Sequence, residues 1–444
     1  MILVFLAISM VVLSLFLSVF AKQKVLSPSI AFVVPFTVSS IYLIFNVSRW
    51  SVVLNINTYF VIISGCLSFL LGILLTSQIR YRLRGKKVLF KRGQNTSQAE
   101  LKSWILWLLF IIEISALVLS FRAIISVVRR YGYSGSYSAL IYRYRNLSIY
   151  TTESVSLGGI VNWLYLFNSA IGYIWGYIIA DVAANKRKIK LLYLLNFIIS
   201  VITDLLKGGR QSAIQLIVAS IVCYFMLYLS KANRKQLPLR KFIRFLIFGI
   251  VGMSLFQSLG YLLGRTVQAD FLQYLAVYIS GGIRNLNEYL KTDHGAPDVF
   301  AKMTLPYVNS FIGNKFGISR MIYSLDLPYL SANGSNSGNI YTTFYAYIYD
   351  FGYIGVIIWP LIMGIISQLI YKMARRSILN NGKRVKISVI VYGYLFYMLV
   401  FSFFSNKFYE GFCSIAFIKM FLLWTLLGYI FNNFDVTGKI RLKK

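Results

Sequence analysis

Apolar residues along this chain do not alternate in short patterns but gather into runs of about 20, the length of helix that crosses the hydrocarbon of a bilayer. Eleven such runs are read, at residues 2–20, 29–47, 59–75, 104–125, 159–180, 191–206, 212–230, 242–263, 351–371, 387–404 and 412–431. Glu113 lies in the middle of the fourth. An ionisable side chain there is costly, so it has a task or a partner, or it is protonated and structural. The pattern predicts an all-α polytopic integral membrane protein with a single membrane domain over residues 1–444.

The polar interruptions assign sides. No basic residue precedes the first run, and Lys22 and Lys24 follow it. That order fits a retained helix with its N-terminus outside better than a cleaved signal peptide. Alternate connections then hold 30 of the 46 Lys and Arg, accompanied only by the acids Glu100 and Asp435. Six separate clusters agree, which places these connections and the C-terminus in the cytoplasm. The longest of them, the basic loop at 78–103, has no glycine-rich phosphate loop. On the outer side, residues 264–339 form one large loop between the eighth and ninth runs, far longer than ordinary connections. Within it, residues 281–290 have helical spacing suited to lying along the membrane interface. Residues 331–339, rich in Ser, Asn and Gly, read as a lid or hinge.

Composition supports the same class. The chain is 58% hydrophobic with a mean hydropathy of +0.67, more apolar than a water-covered domain can be. A net charge of +33 would suggest nucleic acid in a soluble protein. Here the apolar runs split it into short loops, so it reports topology and implies no nucleic-acid partner. Cys66, Cys223 and Cys413 all fall in apolar stretches and suggest neither disulfides nor a metal.

The informative cations are those left on the outer side, where the orienting rule does not ask for them. Lys207-Gly208-Gly209-Arg210-Gln211 breaks two runs. Paired glycines let backbone N–H groups approach an anion at the start of a helix, and arginine adds a permanently charged, planar donor pair. Asp204, one turn earlier, is placed to orient Lys207. Tyr142-Arg143-Tyr144-Arg145 alternates ring faces suited to sugars with cations suited to phosphate. Arg265, Arg284 and Arg320 are further outer cations; contact with lipid phosphates is the alternative role for each. Arg284 and Glu288 are spaced as an i, i+4 pair. His294, the only histidine, is either a base near neutral pH or a solvated loop residue. Asp350 follows a string of tyrosines that includes Tyr345, and it suits either proton abstraction from a sugar hydroxyl or the capping of a helix starting at Phe351.

Three landmarks together resemble the bacterial oligosaccharide repeat-unit polymerases, the Wzy-type family of O-antigen, capsule and exopolysaccharide synthesis. They are Gly208-Gly209-Arg210-Gln211 opening a run, the stretch from Asn339-Ile340-Tyr341 through Asp350-Phe351-Gly352-Tyr353-Ile354-Gly355 leading into another, and the large outer loop between them. The resemblance implies a GT-C-like glycosyltransferase of the bacterial cytoplasmic membrane that joins undecaprenyl-pyrophosphate-linked oligosaccharides on the outer face, without metal or cofactor. Membrane lipids, a chain-length regulator and a flippase of the same pathway are the partners it implies. On that resemblance, positive charge at the pyrophosphate falls to Arg210 with Arg284, Arg265 and Arg143 or Arg145, and the base to Asp350, Glu288 or His294. Lys207, Gly208, Gly209, Arg320 and Tyr345 complete the substrate-binding set. A flippase for lipid-linked oligosaccharides, which would show two repeated halves and a polar central cavity, and a polysaccharide ligase are the alternative readings.

Overall fold

The computed structural model describes residues 1–20, 24–78, 101–150, 155, 157–231, 260, 271–292, 297–325, 327–379 and 384–433. The run at 242–263, most of the 78–103 loop, and part of the 264–339 loop that includes Arg265 and His294 lie outside the described residues. The other ten runs are helices, because a backbone in hydrocarbon has no water to bond and must satisfy each N–H within its own segment.

In chain order the elements are α1 (Ile2–Leu15, continued by a π turn at Phe16–Phe20), α2 (Pro28–Ile44), the short α3 (Val47–Trp50), α4 (Ile56–Gln78) and α5 (Ser103–Arg130). Then come α6 (Tyr137–Tyr150), α7 (Gly159–Ala184), α8 (Leu191–Leu205), α9 (Gln211–Lys231), α10 (Phe271–Tyr289) and α11 (Pro306–Phe316). A hairpin of β1 (Leu330–Ala332) and β2 (Ser335–Gly338) precedes α12 (Thr343–Leu379), α13 (Ile387–Val400), α14 (Lys407–Phe412) and α15 (Ile415–Asn433). Among the described residues, seven helices are long and apolar enough to span a membrane. The chain is a multi-pass membrane protein, and among the described residues its regular structure is helical apart from the hairpin.

Apolar burial does not drive helices together in lipid, so close backbone contact must. α4 and α12 supply it reciprocally: a Cβ on Gly72 would run into the Leu361 carbonyl, and one on Gly364 into the Phe69 carbonyl. Ser68 Oγ and Lys372 Nζ add hydrogen bonds across the same crossing, to the carbonyls of Ile357 and of Thr76 and Ser77. α7, buried along most of its length, packs against α8 and α9. α5 buries only one stripe, with Leu106, Glu113, Ala116, Ser120, Ile124 and Val128 on it, and presents its other faces outward.

Three expectations are corrected. Within α12, residues 343–351 are helical ahead of the expected span and the second part of the helix follows a break, so the tyrosine string is helical and Asp350 lies near the end of the first part instead of capping the second. The break falls two residues later, at Gly352, whose φ of +61° is open to glycine and strained for other residues. Residues 330–338 form the β1–β2 hairpin, closed by Asn333 and Gly334 with φ of 50° and 69°, so most of the segment expected as a lid or hinge is regular structure. Helix α10 is enclosed over residues 280–287 and does not lie along an interface with one face exposed.

Candidate functional site

The site grows from the turn between α8 and α9. Gly208 has a φ of +71°, and a Cβ there would sit 2.9 Å from both the Ile141 carbonyl and the Arg145 Cβ of α6. Only a residue without a side chain lets α6 settle onto this turn, and the result is that Arg145 sits beside the Lys207–Arg210 segment. Ile141 and Arg145 are one helical turn apart and share that face. Arg143 is on the opposite one, exposed, with its guanidinium 5.0 Å from the Tyr133 ring. Tyr144 is buried. The alternating Tyr-Arg string is therefore not one surface, because it is helical: only Arg145 of the pair joins the turn.

Lys207 lies with its Nζ 3.9 Å from the centre of the Tyr165 ring, and burial pulls its ammonium down to about 8 against the opposing charge of Asp204. Arg210, 4% exposed, donates from Nη2 to the Tyr278 hydroxyl of α10 at 3.4 Å. Tyr278 in turn packs against Tyr274 and stacks on Phe404, with ring centres 4.5 and 5.5 Å apart. The turn thus gathers Arg145, Lys207 and Arg210 next to a wall of aromatic rings.

Arg284 is on the same helix as Tyr278, about 9 Å further along the axis by helical rise. It is 5% exposed and donates from Nη1 to Ser337 Oγ at 2.9 Å and to Asn285 Oδ1 at 3.1 Å, and from Nη2 to the Ser331 carbonyl at 3.5 Å. Burial lowers its pKa, and the charges of Glu288 and Tyr341 oppose that. The expected pair with Glu288 does not form; Glu288 binds Lys291 at 2.8 Å. Asn285 Nδ2 donates to the carbonyls of Ser337, Gly338 and Ile340, at 3.3, 3.0 and 2.9 Å. Asn287 accepts from Asn55 N and Thr58 Oγ1 at 2.7 and 3.0 Å and donates to the Val53 carbonyl at 3.0 Å. These two amides pin α10 between the hairpin and the start of α4.

Asp350 accepts from the backbone N–H of Met303 at 3.0 Å and of Thr304 at 2.6 Å, while Asn406 Nδ2 donates to the carbonyls of the same two residues at 3.0 and 2.9 Å. Together they hold the segment leading into α11. Tyr345 is buried among Tyr289, Tyr341 and Tyr349, with ring centres 4.6, 4.5 and 6.0 Å away, and Arg320 is exposed.

The structure brings Arg145, Lys207, Gly208, Gly209 and Arg210 together, and it gives Arg284 and Asp350 positions within the scaffold that carries α10 and α11. Tyr274, Tyr278, Asn285, Asn287 and Asn406 are additions that sequence reading missed. The signal for those on α10 was a run of small and amide residues, Ser280-Gly281-Gly282 with Asn285 and Asn287; Asn406 had none. No metal cluster of three or more His, Cys, Asp or Glu occurs among the described residues. No protein-family model, curated protein or solved structure matches the chain.

Proposed function

We propose that the chain is an oligosaccharide repeat-unit polymerase of the bacterial cytoplasmic membrane, with eleven spans, its N-terminus outside, its C-terminus cytoplasmic and a GT-C-like fold. The observation that carries this reading is the convergence of Arg145, Lys207 and Arg210 on the Gly208 turn, beside Tyr274 and Tyr278. Cations held together by the fold suit a diphosphate, and ring faces beside them suit the first sugars attached to it.

In the reaction the bond between the anomeric carbon of the growing glycan and its lipid pyrophosphate breaks, a glycosidic bond forms to a hydroxyl of the incoming unit, and that hydroxyl loses its proton. Negative charge builds on the departing pyrophosphate, where fixed cations stabilise it most. Arg210 and Lys207 take that role with Arg145, and Arg284 ties the hairpin to α10 rather than meeting the phosphates. Both carboxylate oxygens of Asp350 already accept backbone hydrogen bonds, whereas the two bonds that Glu288 accepts fall on its Oε1, which leaves Glu288 as the candidate for the acceptor proton.

The test is a deletion of the gene in its native host, complemented with wild type or Arg210→Ala, with surface glycan resolved by chain length. Wild type restores a ladder, and the variant at equal protein level leaves single repeat units. A full ladder from the variant reduces Arg210 to a topological marker. Surface glycan lacking even single units in the deletion favours a flippase or ligase.

A further inference from the structure

A second set of polar groups runs along the seam where α5, α7 and α8 meet, and glycosyl transfer makes no use of it. Glu113 of α5 is fully buried; its Oε1 accepts from Trp175 Nε1 of α7 at 2.8 Å, and its Oε2 has no partner among the described residues. Asn168 of α7 donates to the Glu113 carbonyl at 2.8 Å and to Thr203 Oγ1 of α8 at 3.2 Å, while its own Oδ1 is buried without a partner among the described residues. Next to Thr203, Asp204 is 2% exposed; the Ser169 hydroxyl faces its carboxylate, but neither oxygen is within hydrogen-bond geometry of a partner among the described residues. Ser120 Oγ and Asn196 Oδ1 are further buried oxygens in the same condition.

These atoms form a line, not a patch. From Tyr165 to Asp181, α7 rises by about 24 Å, most of a hydrocarbon thickness. At one end, Tyr177, Asp181, Asn185 and Tyr193 line a cavity at the α7–α8 connection. Tyr193 stacks on Trp175 at 5.9 Å, and Trp175 is the donor to Glu113. At the other end, Asp204 lies one turn below Lys207 on the α8–α9 turn. The groups facing Glu113 are the Trp175 indole and the Ser200 hydroxyl, with no charged side chain among them. Those facing Asp204 are Ser169, Tyr165 and Tyr173 of α7, Tyr394 of α13, and Lys207.

Buried polar groups in a membrane bundle ordinarily close their hydrogen bonds, and a purely structural acid would do the same. Two carboxyls with open oxygens, spaced by hydroxyls and amides along one line, suit a group that is passed from site to site. The seam is too tight for a solute: at its middle, a Cβ on Gly172 would lie 2.9 Å from Ser200 Oγ. A proton fits. We propose that the α5–α7–α8 seam is a proton path through the membrane-spanning bundle, with Glu113 and Asp204 as its carrier carboxyls and the Asp181 cavity and the Lys207 turn as its two mouths. Each passage takes up a proton at one mouth and releases one at the other, leaving the protein unchanged and moving one charge across the bundle.

The full-length protein, reconstituted in phosphatidylcholine and phosphatidylglycerol liposomes around a pH-sensitive dye, reads this directly when a potassium diffusion potential drives proton entry. Wild type acidifies the lumen at least tenfold faster than protein-free liposomes. Glu113→Gln keeps an acceptor for Trp175 but carries no proton, and it returns the rate to the protein-free level, as does Asp204→Asn; Glu113→Asp keeps part of the flux. A wild-type rate equal to that of empty liposomes, or undiminished flux in both amide variants, overturns the path. If an amide variant does not fold, Asn196→Val and Ser200→Ala leave both acids in place and slow the flux at least threefold; unchanged rates there overturn it equally.

Discussion

Two arginines meet at one helix, and they do different work. Arg210 reaches α10 from outside, on a turn that also carries Lys207 and abuts Arg145, and it meets α10 at the hydroxyls of Tyr278 and Tyr274. Arg284 belongs to α10 and directs its donors at Ser337, Asn285 and Ser331 of the hairpin region. Cations crowded on one turn repel each other, and an anion that joins them relieves the repulsion. Guanidinium donors that join two pieces of chain hold shape instead. Residue type does not separate a binding arginine from a structural one; its acceptors do.

Substitution should split the two. Arg210→Ala is expected to lower polymer formation roughly 100-fold, the usual scale for removing a group that meets transition-state charge, while the thermal unfolding midpoint stays within a few degrees of wild type. Parallel loss of stability and activity would erase the contrast. Arg284→Ala is expected to destabilise by about 2–3 kcal/mol, because Ser337 and Asn285 lose a buried donor. Ser337→Ala on top of it should add less than it costs alone, and strict additivity in a double-mutant cycle would show that the two do not act as a unit.

Smaller effects sharpen the picture of the turn. Gly208→Ala combines a positive φ with a contact on α6 and is expected to cost about 1–3 kcal/mol, with polymer formation falling about tenfold as Arg145 is displaced; wild-type activity would show that α6 is not needed there. Lys207 is charged below about 8 and neutral above it, so anion affinity should fall as pH rises through that value. Lys207→Arg keeps its charge and should flatten the profile; titration of lipid pyrophosphate at pH values on either side of the midpoint compares the two, and an equally flat wild type sinks the assignment. Arg143→Ala should change chain length by less than twofold, since it points at Tyr133 and away from the turn.

The helices were legible because each is its own signal: a long apolar run bounded by charge needs no other part of the chain to declare itself. The Gly208-Gly209 break was legible for the same local reason. What could not be read were the contacts that join distant parts. Asn287 bonds Asn55 and Thr58, Asn406 bonds Met303 and Thr304, and α6 settles on Gly208, each across a long stretch of sequence. The partners of Asp350 were equally hidden, because the backbone donors it accepts from come from the outer loop and not from the helix that follows it. Arg143 and Arg145 looked equivalent until the helical turn of α6 set them on opposite faces.

The crossing of α4 with α12 has a consequence for biogenesis. The two helices are separated by most of the polypeptide, yet neither tolerates so much as a methyl group between their backbones at Gly72 and Gly364. During synthesis α4 must wait in the bilayer, with Ser68 and Thr76 lacking their final neighbours, until nearly the whole chain has left the ribosome. Insertion and final folding are therefore separate events for this protein, and a nascent chain stalled or truncated before α12 would present α4 to membrane quality control as an orphan helix.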